Sequence, residues 1–304
     1  MGATISPMKL NALNKLTSLF LAVILSLSLA GCSFDVQTNT STGYTPVDDS
    51  LTVRFIDVGQ GDSALITCGT DSMIIDGGPK DSSEKVYSIL SRLNLNKINY
   101  IVGTHTDSDH FSGLCAALSY ATCDTFYCSE DACDTDTCTK VKSKLEAQGK
   151  SITIPSTGDS FKLGDATVTF IGPVKDFADD DNNGSLVLRI DHGSKSFLFM
   201  ADAEKEAENA MIKAGSNVKA DVLKVGHHGS KSSSTDKFLQ AVNPSIAVIS
   251  VGANNKYGHP SDRVLQSLQG LGVNIRQTDE LGNIVLKSDG SNASVSSTKS
   301  DIVE

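Results

Sequence analysis

Three observations predict an α/β sandwich. Short β-branched or apolar runs are punctuated by glycine, helical-period segments are interspersed with them, and the strand runs fall into two groups, each with its own helices. The first group opens at Leu51 with "LTVRFIDVG", "SALITCG" and "SMIIDGG", each closed by turn residues. In "SSEKVYSILSRLNLN" the apolar positions Val86, Ile89, Leu90 and Leu93 repeat at helical spacing behind serines that can cap the start. "INYIVGT" reads as a buried strand and "SGLCAALSYA" as a helix. "SITIPS", "DSFKLGDATVTFIGP" and "GSLVLRIDHGSKSFLFMAD" read as strands joined by Gly-Asp and His-Gly turns. The helix "EKEAENAMIKAG", ended by Gly215, precedes the strand "ADVLKVGHHGS". "SSTDKFLQAV", "PSIAVISVG", "SDRVLQSLQGLG" and "NIVLKS" complete the alternation. The Ser-rich end, residues 289–304, is expected to be disordered, which leaves 51–288 as the folded domain.

With 304 residues, of which 39% are hydrophobic and 20% charged, the chain can bury a sizeable core. Residues 1–31 read as an export signal: Lys9 and Lys15 precede "LFLAVILSLSLA", which is too short for a typical bilayer span. The signal closes on "LAGC", which resembles the lipobox of bacterial lipoproteins and marks Cys32 as the lipidated residue. The polar stretch to Ser50 reads as a tether, so the expected location is the outer face of a bacterial membrane, through a lipid anchor. The net charge is −10, and losing residues 1–31 with their two lysines makes it −12. That balance argues against a receptor gaining affinity by neutralising many phosphates. Six cysteines besides Cys32, five of them crowded into Cys115–Cys138, suggest disulfides in an exported chain, with at most one free thiol. The acidic run between them reads as a solvated loop.

The stretch "THTDSDHFSG" carries the chemistry. His105, Asp107, Asp109 and His110 lie within six residues at the end of a strand, where alternate side chains point the same way. That spacing suits two metal ions. Asp202 closes the strand "FLFMAD", His227 and His228 follow "VLKVG", and His259 stands in "YGHP"; all emerge from strand ends, where α/β folds place their sites. A carboxylate such as Asp202 can bridge two cations roughly 3.5–4 Å apart. Lys224, Ser230, Lys231, Lys256 and Arg263 are candidates for meeting a phosphate in an otherwise acidic protein. His192, in a hairpin, is given no role.

Together with "DVGQGDS", "IIDGG", "NNGSLVLRI", "ISVGANNKYGHPS" and "QTDELGNI", these segments resemble the metallo-β-lactamase superfamily, most closely the extracellular hydrolase domain of ComEC-type competence proteins. The resemblance runs in order from Leu51 to Lys287 and implies a four-layer αββα sandwich with a dinuclear centre on one edge. Carried over, it implies His105 and Asp107 on one metal, Asp109, His110 and His228 on the other, and Asp202 as bridge. Asp109, His227 and His259 would be catalytic, Asp76 would orient His105, and Asn183 would support the site. The superfamily at large has a histidine where this chain has Asp107, and a further ligand histidine near Asn182 and Asn183. The oxygen-rich set moves preference from zinc toward manganese or magnesium.

The expected activity is that of a monomeric, membrane-anchored metallo-hydrolase, a phosphodiesterase or nuclease acting on DNA. Two alternatives stand beside it: an envelope hydrolase resembling phosphorylcholine esterases, and a non-enzymatic metal- or DNA-binding lipoprotein.

Overall fold

The computed structural model describes residues 49–130, 135–177 and 180–299. The export signal, Cys32 and nearly all of the tether lie outside these residues. The chain lays down β1 (Leu51–Phe55), β2 (Ser63–Cys68), β3 (Asp71–Gly77), β4 (Lys97–Gly103), β5 (Thr122–Cys128) and β6 (Ile152–Thr153) in one sheet. It then builds a second sheet from β7 (Ser160–Leu163), β8 (Ala166–Gly172), β9 (Val187–His192), β10 (Lys195–Phe199), β11 (Val222–Lys224), β12 (Ile246–Ile249) and β13 (Asn274–Gln277). Finally β14 (Asn283–Ser288) and β15 (Ala293–Thr298) return to the first. The spatial orders are β15-β14-β1-β2-β3-β4-β5-β6 and β13-β12-β11-β10-β9-β8-β7. β3 to β6 run parallel in the first sheet and β10 to β13 in the second.

Period-two alternation builds the layers. Met73 and Ile75 of β3 face the other sheet while Ile74 faces outward; in the second sheet Phe197 and Phe199 point inward and Leu198 outward. The inward residues form one core between the sheets, where the Phe55 and Phe199 rings stack at 5.6 Å. The first sheet's outer face is covered by α1 (Ser83–Arg92), α3 (Leu114–Tyr120) and α4 (Asp136–Ala147), and the short α2 (Ser108–Phe111) precedes α3. The second is covered by α5 (Lys205–Ala214), α6 (Asp236–Val242) and α7 (Asp262–Gly270). This is the four-layer αββα sandwich. Each fully buried Leu, Ile or Phe contributes about 1.5–3 kcal/mol.

Two expectations are corrected. The end of the chain is not wholly irregular, because β15 pairs with β14 over six residues, from Asn283↔Thr298 to Ser288↔Ala293. Its alternation of small and polar side chains suits an edge strand. The expectation of at most one free thiol also fails: Cys68, Cys115, Cys123 and Cys128 are free, and Cys138 is disulfide-bonded. Cys68 fills space between the sheets and Cys123 and Cys128 fill the outer core, as small apolar residues do.

Candidate metal centre

The site lies past the carboxyl ends of the parallel strands, where both sheets deliver side chains to one edge. At the end of β3, Asp76 takes a left-handed backbone (φ 55°). Its Oδ1 accepts from the Thr104 N–H at 2.8 Å and its Oδ2 from the Thr104 hydroxyl at 2.7 Å. Oδ2 also lies 2.9 Å from His110 Nδ1. Asp76 therefore orients His110, not His105, because α2 turns the His110 ring over the carboxylate. The His105 ring has Nδ1 3.1 Å from the Thr104 hydroxyl. The approach of α2 and α3 to β3 depends on glycine: a Cβ on Gly113 would lie 1.9 Å from the Gly77 carbonyl oxygen.

From the second sheet, Asp202 follows β10, and His227 and His228 follow β11 in a 3-10 turn, Gly226–Gly229. Both histidines have positive φ, 44° and 50°, an uncommon conformation held here by the His227 N–H donating to Ala201 O at 2.8 Å. Asp202 Oδ1 stands 3.2 Å from His110 Nε2 and 3.7 Å from His228 Nε2, while Oδ2 stands 3.6 Å from His227 Nε2. His228 Nε2 is 3.3 Å from Asp109 Oδ2, and His105 Nε2 is 3.7 Å from Asp107 Oδ2. The His259 ring lies 5.5 Å from that of His227. The structure thus brings together His105, Asp107, Asp109, His110, Asp202, His227, His228 and His259. It also separates the neighbouring histidines. His228 is buried with Nε2 facing two carboxylates, whereas half-buried His227 gives Nδ1 to Glu204 Oε1 at 2.8 Å.

Sequence reasoning missed Asp62 and Glu204. Asp62 Oδ1 lies 3.2 Å from His228 Nδ1, and its other oxygen is held by Lys224 Nζ at 2.7 Å. The signal was the charged residue after two glycines in "GQGDS": Gly61 (φ 149°) lets the backbone pass so close to Asp109 O that a Cβ would sit 2.2 Å from it. Glu204 also accepts from the Ser232 hydroxyl at 2.8 Å.

The phosphate-binding set is largely corrected. Lys224 is buried and spent on Asp62 and Val225 O. Arg263 donates to the carbonyls of Ser233 and Ser234, fixing the loop ahead of α6. The Ser230 hydroxyl is paired with Ser232 at 2.8 Å. Of the set, Lys231 and Lys256 are exposed. Asn183 works at one remove from the centre, where its side-chain oxygen accepts from the backbone N–H groups of Glu204 and Ala207.

Among the described residues, His105 Nε2, His110 Nε2, His228 Nε2, Asp202 Oδ1 and Asp62 Oδ1 are buried without a hydrogen-bond partner. Leaving one such atom unsatisfied costs about 1–3 kcal/mol, and here they converge. One ligand atom each from Asp62, His110, Asp202 and His228 falls within a 4.8 Å spread. Imidazole nitrogens and carboxylate oxygens so arranged fit divalent cations. Burial opposes ionisation of Asp202, but His110 and His228 outweigh it and hold its carboxyl well below the usual range.

Beside His105 opens a cleft of about 540 Å³, walled by Glu130, Asp176, Asp180 and Asp181 against Lys175, with Phe177 and Ile154 as apolar lining. Lys175 Nζ lies 4.4 Å from the Phe177 ring centre.

Comparison with known proteins agrees with this fold. ComE operon protein 3 of Bacillus subtilis (strain 168) is 32% identical over 250 residues, covering 76% of this chain and 32% of that protein. Competence protein ComA of Neisseria gonorrhoeae is 28% identical over 248 residues, covering 77% of this chain and 32% of that protein. The chain thus spans about a third of the length of these curated relatives. Among solved structures, the metallo-beta-lactamase fold protein YhfI from Bacillus subtilis superposes with a TM-score of 0.54 at 13% identity, over 78% of this chain and all of that one, which speaks for the fold. The family model of the metallo-beta-lactamase superfamily matches residues 56–253, well over half of the chain, and the chain belongs to that superfamily.

Proposed function

We propose that the protein is a metal-dependent phosphodiesterase acting on DNA, held at the outer face of a bacterial membrane by lipid on Cys32. The observation that carries the catalytic reading is the convergence on Asp202 of buried, unpartnered histidine and carboxylate atoms from both sheets. His105 and Asp107 would hold one divalent cation, zinc or manganese, and Asp109, His110 and His228 a second, with Asp202 as a further candidate ligand. Bound there, such ions would supply a nucleophile from water near neutral pH and charge to polarise the phosphoryl oxygen. The protein does the positioning. Asp76 fixes the His110 ring, and the Ser250 carbonyl, 2.9 Å from Nδ1, fixes the His228 ring. His227, with Nδ1 bound to Glu204, has Nε2 turned to the site, where it can give a proton to the leaving oxygen. The resemblance to Competence protein ComA, named for competence, supports the choice of DNA as the substrate to test first.

The acidic cleft beside His105 favours a second reading, as an esterase of phosphorylcholine-like compounds. Four carboxylates and Phe177 suit a small cationic group better than a polyanion. The deciding experiment loads the protein separately with zinc and manganese and offers bis-p-nitrophenyl phosphate, single- and double-stranded DNA, and p-nitrophenylphosphorylcholine. Turnover of DNA above the choline ester supports the first reading, and the reverse order the second. Hydrolysis of none would leave a metal-binding lipoprotein. The anchor is tested by Cys32→Ala, which should release the protein from membranes; unchanged partitioning would overturn that part.

A further inference from the structure

The loop between β12 and α7 presents an aromatic ring that none of the catalytic roles uses. Tyr257 is 58% exposed, an unusual position for a large ring beside a buried polar centre. It is held there by a built turn. The Asn255 side chain accepts from the backbone N–H groups of Tyr257 and His259, each at 3.1 Å, and donates to the carbonyls of Gly252 and His259 at 3.0 and 2.6 Å. The Tyr257 ring lies nearly parallel to that of His259, 24° apart with centres 5.7 Å apart, and the His259 ring is 6.4 Å from that of His228. A ladder of rings thus leads from solvent to the candidate metal ligands. Exposed Lys256 places Nζ 5.1 Å from the Tyr257 ring centre.

From this ladder we propose that Tyr257 is a stacking platform for a nucleobase next to the scissile phosphate, with Lys256 serving that nucleotide's phosphate. The proposal rests on the phosphodiesterase reading and adds the substrate group that the rim recognises. A base has two flat faces and stacks on an exposed ring more strongly than an ammonium group does in water, so an incoming base displaces the Lys256 ammonium from the Tyr257 face. The freed cation then lies beside the phosphate that arrives with the base. The acidic cleft beside His105, from which Tyr257 is absent, offers a polyanion no comparable support, so the nucleic acid is gripped on the Tyr257 side.

The test separates bases from phosphates. Binding of the full-length, metal-loaded protein is measured by fluorescence anisotropy with a labelled phosphorothioate oligothymidylate of about ten nucleotides, and with an abasic strand of the same backbone and length. The parent should bind the base-bearing strand about tenfold more tightly. Tyr257→Ala should erase that preference while leaving the abasic strand's affinity unchanged, and Tyr257→Phe should restore it. Lys256→Gln should weaken both strands alike. Equal binding of the two strands by the parent, or a preference that survives Tyr257→Ala, would overturn the proposal. Bis-p-nitrophenyl phosphate offered to the parent separates the two failures: no hydrolysis sinks the phosphodiesterase reading, whereas hydrolysis without base preference sinks only the platform.

Discussion

Lys224 Nζ lies 2.7 Å from Asp62 Oδ2, with both side chains buried, and the other oxygen of the same carboxylate faces His228. A cation that the sequence offers to substrate is turned inward to steady a carboxylate at the centre. Burial opposes ionisation of Asp62, but Lys224 and then His228 outweigh it and hold its carboxyl far below the ordinary value of 3.8. A depressed acid contributes stability that is complete above its unfolded value and fades as the pH falls through the folded one. Lys224→Met should therefore cost about 3–5 kcal/mol at neutral pH by leaving a buried charge unpaired. Asp62→Leu with Lys224→Met should recover most of it. Denaturant midpoints check both, and a single variant within about 0.5 kcal/mol of the parent would contradict the buried pair.

Asp76 serves the centre through His110. Asp76→Asn keeps the shape but weakens its hold on the ring nitrogen, and should reduce metal affinity about 10- to 100-fold with circular dichroism retained. Competition with a chromogenic chelator reads this directly. Parental affinity would show that the His110–Asp76 contact does not position the ring.

Asp202 and His227 should part company. Asp202→Ala removes the carboxylate that faces three histidines, so bound metal should fall below two per chain and phosphodiester hydrolysis should vanish. His227→Ala should keep most of the metal and lose about 10²–10⁴ in turnover. Metal analysis beside kinetics distinguishes this contrast from a shared folding defect. Two metals and near-parental rate in Asp202→Ala would end the dinuclear proposal.

The thiols should divide by burial. Burial pushes the Cys123 and Cys128 thiols up to about 11, and Cys68 is also buried, whereas Cys115 is only half-buried. Ellman's reagent near pH 8 should reach Cys115 in the native protein, and denaturation without reductant should add at least three thiols. No rise on denaturation would show these cysteines to be paired.

Much of this architecture was legible because period-two runs and glycine stops are local signals. The ligand-bearing segments were found for the same reason: each is a cluster of unusual residues at a strand end. What was lost was of two kinds. Helix α4 was overlooked because its charged start reads as loop, although Cys138, Val141 and Leu145 bury one face behind the Thr135 cap. Residue types also do not show where side chains point. Arg263 and Lys224 look like phosphate ligands in sequence and are committed to carbonyls and to Asp62 only once distant segments meet. Asp76 was correctly tied to a histidine but to the wrong one, since the turn of α2 decides which ring arrives.

The pairing of β1 with β14, from Leu51↔Ser288 to Phe55↔Ile284, sets the order in which the molecule can become complete. β1 gains its second neighbour only when β14 has been made, so contacts of very long sequence separation close the sheet, which slows folding. A nascent or truncated chain ending before Asn283 would carry β1 as an open edge of wholly buried character, "LTVRF", ready to pair with another copy. Folding without misassembly therefore calls for keeping β1 apart from other open strand edges until β14 has been made.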